Sequence, residues 1–314
     1  FKMKKQLLIA AVAATMTSAA MADISIAGAM KANYTNVDGA TSVAADNAVT
    51  TETDLVVTGK SGATTVVYSI TVDQASGDNT AQSKDTMQVE KTYMTTSVGA
   101  VNLKVGRYNG SDNNLTATSG YSNGNYSAST TMGGLTVTVD GDDQEATTDL
   151  TVGGTFGGVT ASFHADQNED EIKLSGSVAG VALSYHNFAS DTANSDLTAI
   201  TASTEVNGMT VTFASVEADS AANEAGEDFF DIASATDAGD DLMGIELATS
   251  MAGNTVKFKH IALDAAVAAN DVDINKITVT RALAAGTTFE GTYTMTEDTS
   301  VDTDTLDLEL AVKF

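Results

Sequence analysis

Apolar and polar side chains alternate along most of this chain, and a period of two confines those stretches to β-strands. Residues 305–314 show it most plainly. Leu306, Leu308, Leu310, Val312 and Phe314 fall on one face, and Asp307, Glu309, Ala311 and Lys313 on the other. The pattern recurs in eighteen segments, the first at 23–37 and the last at 304–314. A soluble sandwich strand has the same period, so alternation alone does not choose the solvent on the apolar side.

The connections narrow the choice. One set is very short: Gly62-Ala63, Val98-Gly99, Gly133-Gly134, Gly157-Gly158, Ala179-Gly180, Asn207-Gly208, Gly253-Asn254 and Ala285-Gly286. Tight turns rich in Gly suit antiparallel hairpins, because Gly accepts positive φ. The intervening connections are longer and polar. Most of the 42 acidic residues lie in or beside them, and the short turns carry none. The longest, 218–241, contains Asp219, Glu224, Glu227, Asp228, Asp231, Asp237, Asp240 and Asp241. Short turns at one end and long loops at the other characterise barrels of the bacterial outer membrane.

The start of the chain agrees. Met3, Lys4 and Lys5 form a basic start, residues 7–14 an apolar core, and Ala20-Met21-Ala22 a small-x-small cleavage pattern. This order predicts a signal peptide over 1–22, with Phe1 and Lys2 upstream of the start Met3, and one mature domain over 23–314. The apolar core is shorter than the ~20 residues of a spanning helix. No later apolar run reaches that length either. A membrane reading must therefore use strands, and strands span only when closed, since open edges strand backbone groups in hydrocarbon. The predicted fold is all-β: a transmembrane antiparallel up-and-down barrel of 16 to 18 strands, 18 by segment count, with short periplasmic turns and long acidic extracellular loops. Even parity returns both termini to one side.

Composition supports this and removes other classes. Without the leader lysines, 12 basic residues oppose 42 acidic ones, a formal charge of −30 that repels nucleic acid. There is no Cys, hence no disulfide or thiolate metal site, and no Pro to interrupt strand pairing. Lys31, Lys104, Lys173 and Glu290 all fall on polar strand faces. A dry core could not hold them unpaired, whereas a wet lumen could.

Three segments resemble the general diffusion porins of Gram-negative outer membranes. Asp23-Ile-Ser-Ile-Ala-Gly28 is similar to their first strand. Val98-Gly-Ala-Val-Asn-Leu-Lys-Val-Gly-Arg-Tyr-Asn-Gly110 resembles their fifth-strand segment. Val312-Lys313-Phe314 resembles the carboxy-terminal signal read by the barrel-assembly machinery. The resemblance implies a water-filled barrel, usually a homotrimer, that sits among outer-membrane lipid and lipopolysaccharide and passes ions and small hydrophilic solutes. It also implies that the loop after Gly106-Arg107, here 109–123 with Asp112 as its acid, folds inward. By the same likeness Arg107 matches a constriction arginine, and Lys31 a basic residue lining the first strand. Lys104 faces inward by its own phase. Arg107 shares the phase of Val101, Leu103 and Val105, which also fits snorkelling at the membrane interface.

The chain departs from the family in a short constriction loop and in eighteen segments where sixteen are familiar. It also lacks Trp, so the interfacial girdles fall to Tyr34, Phe156, Phe188 and Phe314. Arg281, close to a short turn, is expected at the interface.

The expected activity is passive diffusion. The acidic rim favours cations at low salt, and Lys31, Lys104 and Arg107 oppose it inside. The alternative is a non-conducting structural or adhesive surface barrel. An outer-membrane enzyme is disfavoured, because no Ser/His/Asp arrangement assembles at a defined spacing. His164, His186 and His260 lack metal-ligand spacing, and no metal or cofactor is expected beyond divalent cations held loosely on the acidic loops. Asp271-Val-Asp273-Ile-Asn275 echoes a calcium loop, but Lys276 stands where its Gly belongs.

Overall fold

Every one of the eighteen alternating segments is a strand in a computed structural model of the chain. The structure describes residues 23–38, 47–76, 86–109, 121–141, 148–166, 169–190, 196–218, 241–264, 271–298 and 302–314. The strands are β1 Asp23–Asp38, β2 Asn47–Ser61, β3 Thr64–Ser76, β4 Thr86–Val98, β5 Val101–Asn109 and β6 Tyr121–Met132. Next come β7 Leu135–Gly141, β8 Thr148–Phe156, β9 Val159–Ala165, β10 Glu169–Val178, β11 Val181–Ser190 and β12 Leu197–Val206. The last six are β13 Met209–Ala218, β14 Asp241–Met251, β15 Asn254–Asp264, β16 Val272–Ala284, β17 Thr287–Asp298 and β18 Thr303–Lys313. The leader, Asp112 and most of the long acidic loop lie outside the described residues.

Each strand pairs antiparallel with its sequence neighbours, and β1 pairs with both β2 and β18, so the sheet closes on itself. Closure leaves no free edge, which is what hydrocarbon demands. At the seam Gly28 N donates to Phe314 O at 2.8 Å, and Phe314 N donates to Gly28 O at 2.9 Å. A Cβ at residue 28 would stand 2.5 Å from the Phe314 ring, so Gly28 lets the terminal aromatic lie flat across the joint.

Register carries one face around the whole ring. Lys31 sits opposite Glu52, Asp54 opposite Thr71, Lys259 opposite Lys276, and Glu290 opposite Glu309. These belong to the polar phase, which is the inward one. The other phase carries Ile26, Val105, Ile200, Phe213, Ile277 and Leu310, all exposed on the outside of the cylinder. In water such a belt would be unstable, whereas in lipid it is the expected surface.

Several strands run past their alternating segments at the long-connection end. β2 begins at Asn47 and β6 at Tyr121, where alternation predicts starts at 52 and 124. Backbone pairing continues there although the side chains no longer divide by polarity, as expected where a strand leaves the apolar layer. The eight short turns are all present, two of them shifted by one residue. The turn after β14 is Ala252-Gly253, not Gly253-Asn254, with φ of 53° and 78°. Two successive positive φ values suit a two-residue hairpin, and Asn254 instead opens β15 and donates to Met251 O at 3.2 Å. The turn after β4 is Gly99-Ala100, which puts Gly at the first central position.

Candidate pore lining and inner-wall sites

Inward residues divide into two kinds of wall. From β14 through β18 and on to β3 the wall is charged and rich in hydroxyls. Glu246 on β14 is bridged by two amines, with Lys257 Nζ at 3.7 Å and Lys259 Nζ at 3.6 Å. Lys276, Thr278, Thr280, Glu290 and Thr292 join them around a recess of ≈ 240 Å³. Thr280 Oγ1 donates to Glu290 Oε2 at 2.8 Å. Farther round, Thr35 Oγ1 donates to Asp307 and Thr71 Oγ1 to Asp54, both at 2.6 Å, and Lys31 Nζ lies 3.4 Å from Glu52. Hydroxyls and paired charges of this kind keep a surface wet.

The second wall runs from β11 to β15 near the long connections, and it is apolar. Phe188, Leu197, Ala214, Val216, Leu242 and Ile261 form one buried cluster, with Leu197 2 % and Ile261 1 % exposed. Register places all six in the inward phase, since Phe188 faces Leu197, Val216 faces Leu242, and Ile261 faces Gly244. Phe188 is therefore not a girdle residue. Counting aromatics could not reveal this, whereas its neighbours in the dyad pattern, His186 and Ser190, are polar and mark the phase as inward. Phe156 and Phe314 do stand exposed on the outward phase.

Buried polar groups border the apolar wall. Glu171 on β10 is 1 % exposed, and its Oε1 is hydrogen-bonded to His186 Nε2 on β11. Glu171 sits opposite His164 on β9, and His164 Nδ1 pairs with Thr151 Oγ1 on β8 at 3.0 Å. Four strands thus bring Thr151, His164, Glu171 and His186 together on the inward face. Lys173 lies one inward step farther, opposite His186 and Ser162. His260 is on the outward phase and pairs with Asn275 at 3.1 Å.

The proposed constriction residues separate by phase. Lys104 is inward, but it lies against the wall. Its Nζ is 3.8 Å from the centre of the Tyr108 ring and 4.9 Å from that of Tyr93. The two tyrosines meet edge to face at 5.9 Å and 72°, with Tyr108 1 % exposed, and Asn125 Nδ2 donates to Tyr108 O at 2.6 Å. A cation over two rings is held by their quadrupoles. The Gly106 backbone permits this packing. Its φ is 135°, and a Cβ there would clash with Thr92 O. Arg107, opposite Thr92, is half a period out of step with Lys104 and Tyr108 and stands on the outward phase near the long-connection end. Arg281 is also outward, near the short turns, opposite Asn254. Lys31, Lys173 and Glu290 are inward, on separate parts of the ring.

No family model and no curated protein matches the chain. Solved structures do. Acinetobacter baumannii OccAB4 superposes with a TM-score of 0.71 at 10% identity, over 93% of this chain and 98% of that one. Pseudomonas aeruginosa OpdK, solved with vanillate, gives 0.69 at 11% identity over 93% and 98%. A mutant of the Rh. blastica porin gives 0.56 at 13% identity over 93% and 100%. At such identities the likeness speaks for the fold: this chain has the closed antiparallel β-barrel fold of Gram-negative outer-membrane porins.

Proposed function

We propose that this protein is a channel of a Gram-negative outer membrane through which ions and small hydrophilic solutes diffuse passively. The observation that carries the reading is the division of a closed ring into an apolar outer belt and an inner wall lined by Lys31, Glu52, Asp54, Lys259, Glu290 and Asp307. Such a wall supplies water and solutes with hydrogen-bond partners along the axis. The short turns face the periplasm and the long acidic connections the outside. Residues 1–22 direct export as a cleaved signal peptide, and Phe314 serves the barrel-assembly machinery. The resemblance in three segments supports a homotrimer seated in lipopolysaccharide.

Lys31, Lys104, Lys173 and Glu290 line the path, together with Asp112 from the loop after β5. The outward phase of Arg107 favours anchoring at the membrane interface over a constriction role. The acidic rim gives a small cation preference at low salt, against the lysines of β15 and β16. Reconstitution in a planar bilayer tests both statements. Discrete conductance steps with a potassium-favouring reversal potential across a dilute gradient are expected. Chloride preference would end the selectivity claim, and absence of steps would end the channel claim.

A second reading is favoured by one observation, the buried apolar wall around Leu197 and Ile261. An inner face screened from solvent also suits a barrel that does not conduct and serves a structural or adhesive role. An electrically silent but heat-modifiable barrel would establish it.

A further inference from the structure

We propose that the β9–β10 hairpin carries a binding site for a transition-metal divalent cation of the zinc class, with His164, Asp166 and Glu169 as ligands. The site is independent of whether the barrel conducts. It differs from cations held loosely on acidic loops, because it is built around a buried imidazole.

His164 is the penultimate residue of β9, Glu169 opens β10, and Asp166 sits in the link between them. The link is tight: Asp166 N donates to Glu169 O at 3.0 Å, and Glu169 N donates to Asp166 Oδ1 at 2.8 Å. One nitrogen and two carboxylate oxygens, one from each residue, lie within 4.8 Å of one another.

The histidine distinguishes this cluster from an ordinary acidic turn. His164 is 3 % exposed. Its Nδ1 is engaged by Thr151, which fixes the ring, as outer partners of metal-binding histidines do. Its Nε2 is screened from solvent and has no hydrogen-bond partner among the described residues. A buried ring nitrogen without a partner is rare and calls for a ligand. Elimination leaves Nε2 as the coordinating atom. Directly across the ladder, Glu171 adds buried carboxylate density and is itself held by His186.

The donor set selects the ion class. An imidazole with two carboxylates suits zinc and its first-row neighbours, whereas calcium and magnesium prefer oxygen alone. Zinc bonds of about 2.0–2.2 Å require the donors to draw closer than 4.8 Å. Asp166 and Glu169 are half-buried, and their side chains close that distance from the end of the hairpin. Three protein donors leave a coordination position for water or for an anionic group of a solute.

The test is calorimetric titration of zinc chloride into the full-length, chelator-treated barrel in detergent, with calcium chloride as competitor. One saturable zinc site per chain is expected, unaffected by excess calcium. His164→Gln, with folding checked by heat-modifiable gel mobility, is expected to weaken it about tenfold or more. Glu169→Gln, at the half-buried end, should also weaken it and is the deciding variant if His164→Gln does not fold. Asp273→Asn, on the outward phase of β16, should leave it unchanged. Cobalt should give a visible absorption band that His164→Gln or Glu169→Gln abolishes. The proposal is overturned by many equivalent sites displaced by calcium, by no saturable binding, or by binding that these hairpin variants leave intact.

Discussion

The two inner walls of this barrel share one backbone pattern and have opposite character. Around β15–β18 and β1–β3 the inward phase carries Lys257, Lys259, Glu290, Asp307, Lys31 and Glu52, paired but reachable by water. Around β11–β15, near the long connections, it carries Phe188, Leu197, Val216, Leu242 and Ile261, all buried. The ladder hydrogen bonds are equivalent in both. The dyad period therefore decides only that alternate residues share a side. What that side is made of, and whether it stays wet, depends on which strands register brings together.

The largest test of this contrast is truncation on the apolar wall. Ile261→Ala is predicted to cost about 2–5 kcal/mol in denaturant unfolding, because it empties a fully packed position. Val56→Ala on the charged wall, half-buried, should fall well short of that. Equal losses at the two sites would erase the distinction.

Glu171 marks the β10 border of the apolar wall. Glu171→Gln exchanges the buried carboxyl partner of His186 for an amide, with a predicted loss of about 1–3 kcal/mol. A double-mutant cycle with His186→Ala measures the coupling; a coupling near zero would mean that the two side chains do not support each other.

Gly28→Val probes the seam between β1 and β18, on the outward phase behind the charged wall. The new Cβ meets the Phe314 ring at 2.5 Å and Asp54 O at 3.0 Å. Overpacking of this kind costs about 1–3 kcal/mol, and the loss should appear as a lower melting temperature with faster unfolding. An unchanged melting temperature would show that the terminal aromatic is free to leave the joint.

Smaller effects are expected from the lumen charges. Lys257→Gln combined with Lys259→Gln should move the reversal potential towards cations, with the shift shrinking as the Debye length falls to about 3 Å near 1 M salt. Lys31→Gln should change stability by less than about 1 kcal/mol, since its pair with Glu52 is exposed to solvent. A larger loss would place Lys31 in a drier setting than the charged wall provides.

Much of the architecture was legible in the residues alone. Residues 305–314, the paired Gly turns and the absence of Pro already require a closed antiparallel sheet with an apolar exterior. The phase of Lys31, Lys104, Lys173 and Glu290 followed from the same counting. The misplacements have local causes. Gly253-Asn254 is a turn dipeptide, yet Asn254 caps the turn from the following strand. Phe188 fits a girdle by residue type, because aromatics concentrate at barrel interfaces, but register places it inward. For Arg107, family likeness and phase pointed in opposite directions, and register places it outward. The His164-x-Asp166-x-x-Glu169 spacing is visible in the sequence, but the burial of His164 beside the two carboxylates is set by the strands that flank it.

By itself the sequence determined the strands, their two faces and the end at which acids gather, because period-two alternation and Gly turns act within a few residues. Tertiary structure alone decided that Glu171 meets His186, that His164 meets Thr151, and that Leu197 and Ile261 share a buried wall. Those contacts join positions many residues apart, and only the register of a closed ladder, which local patterning does not encode, sets them side by side.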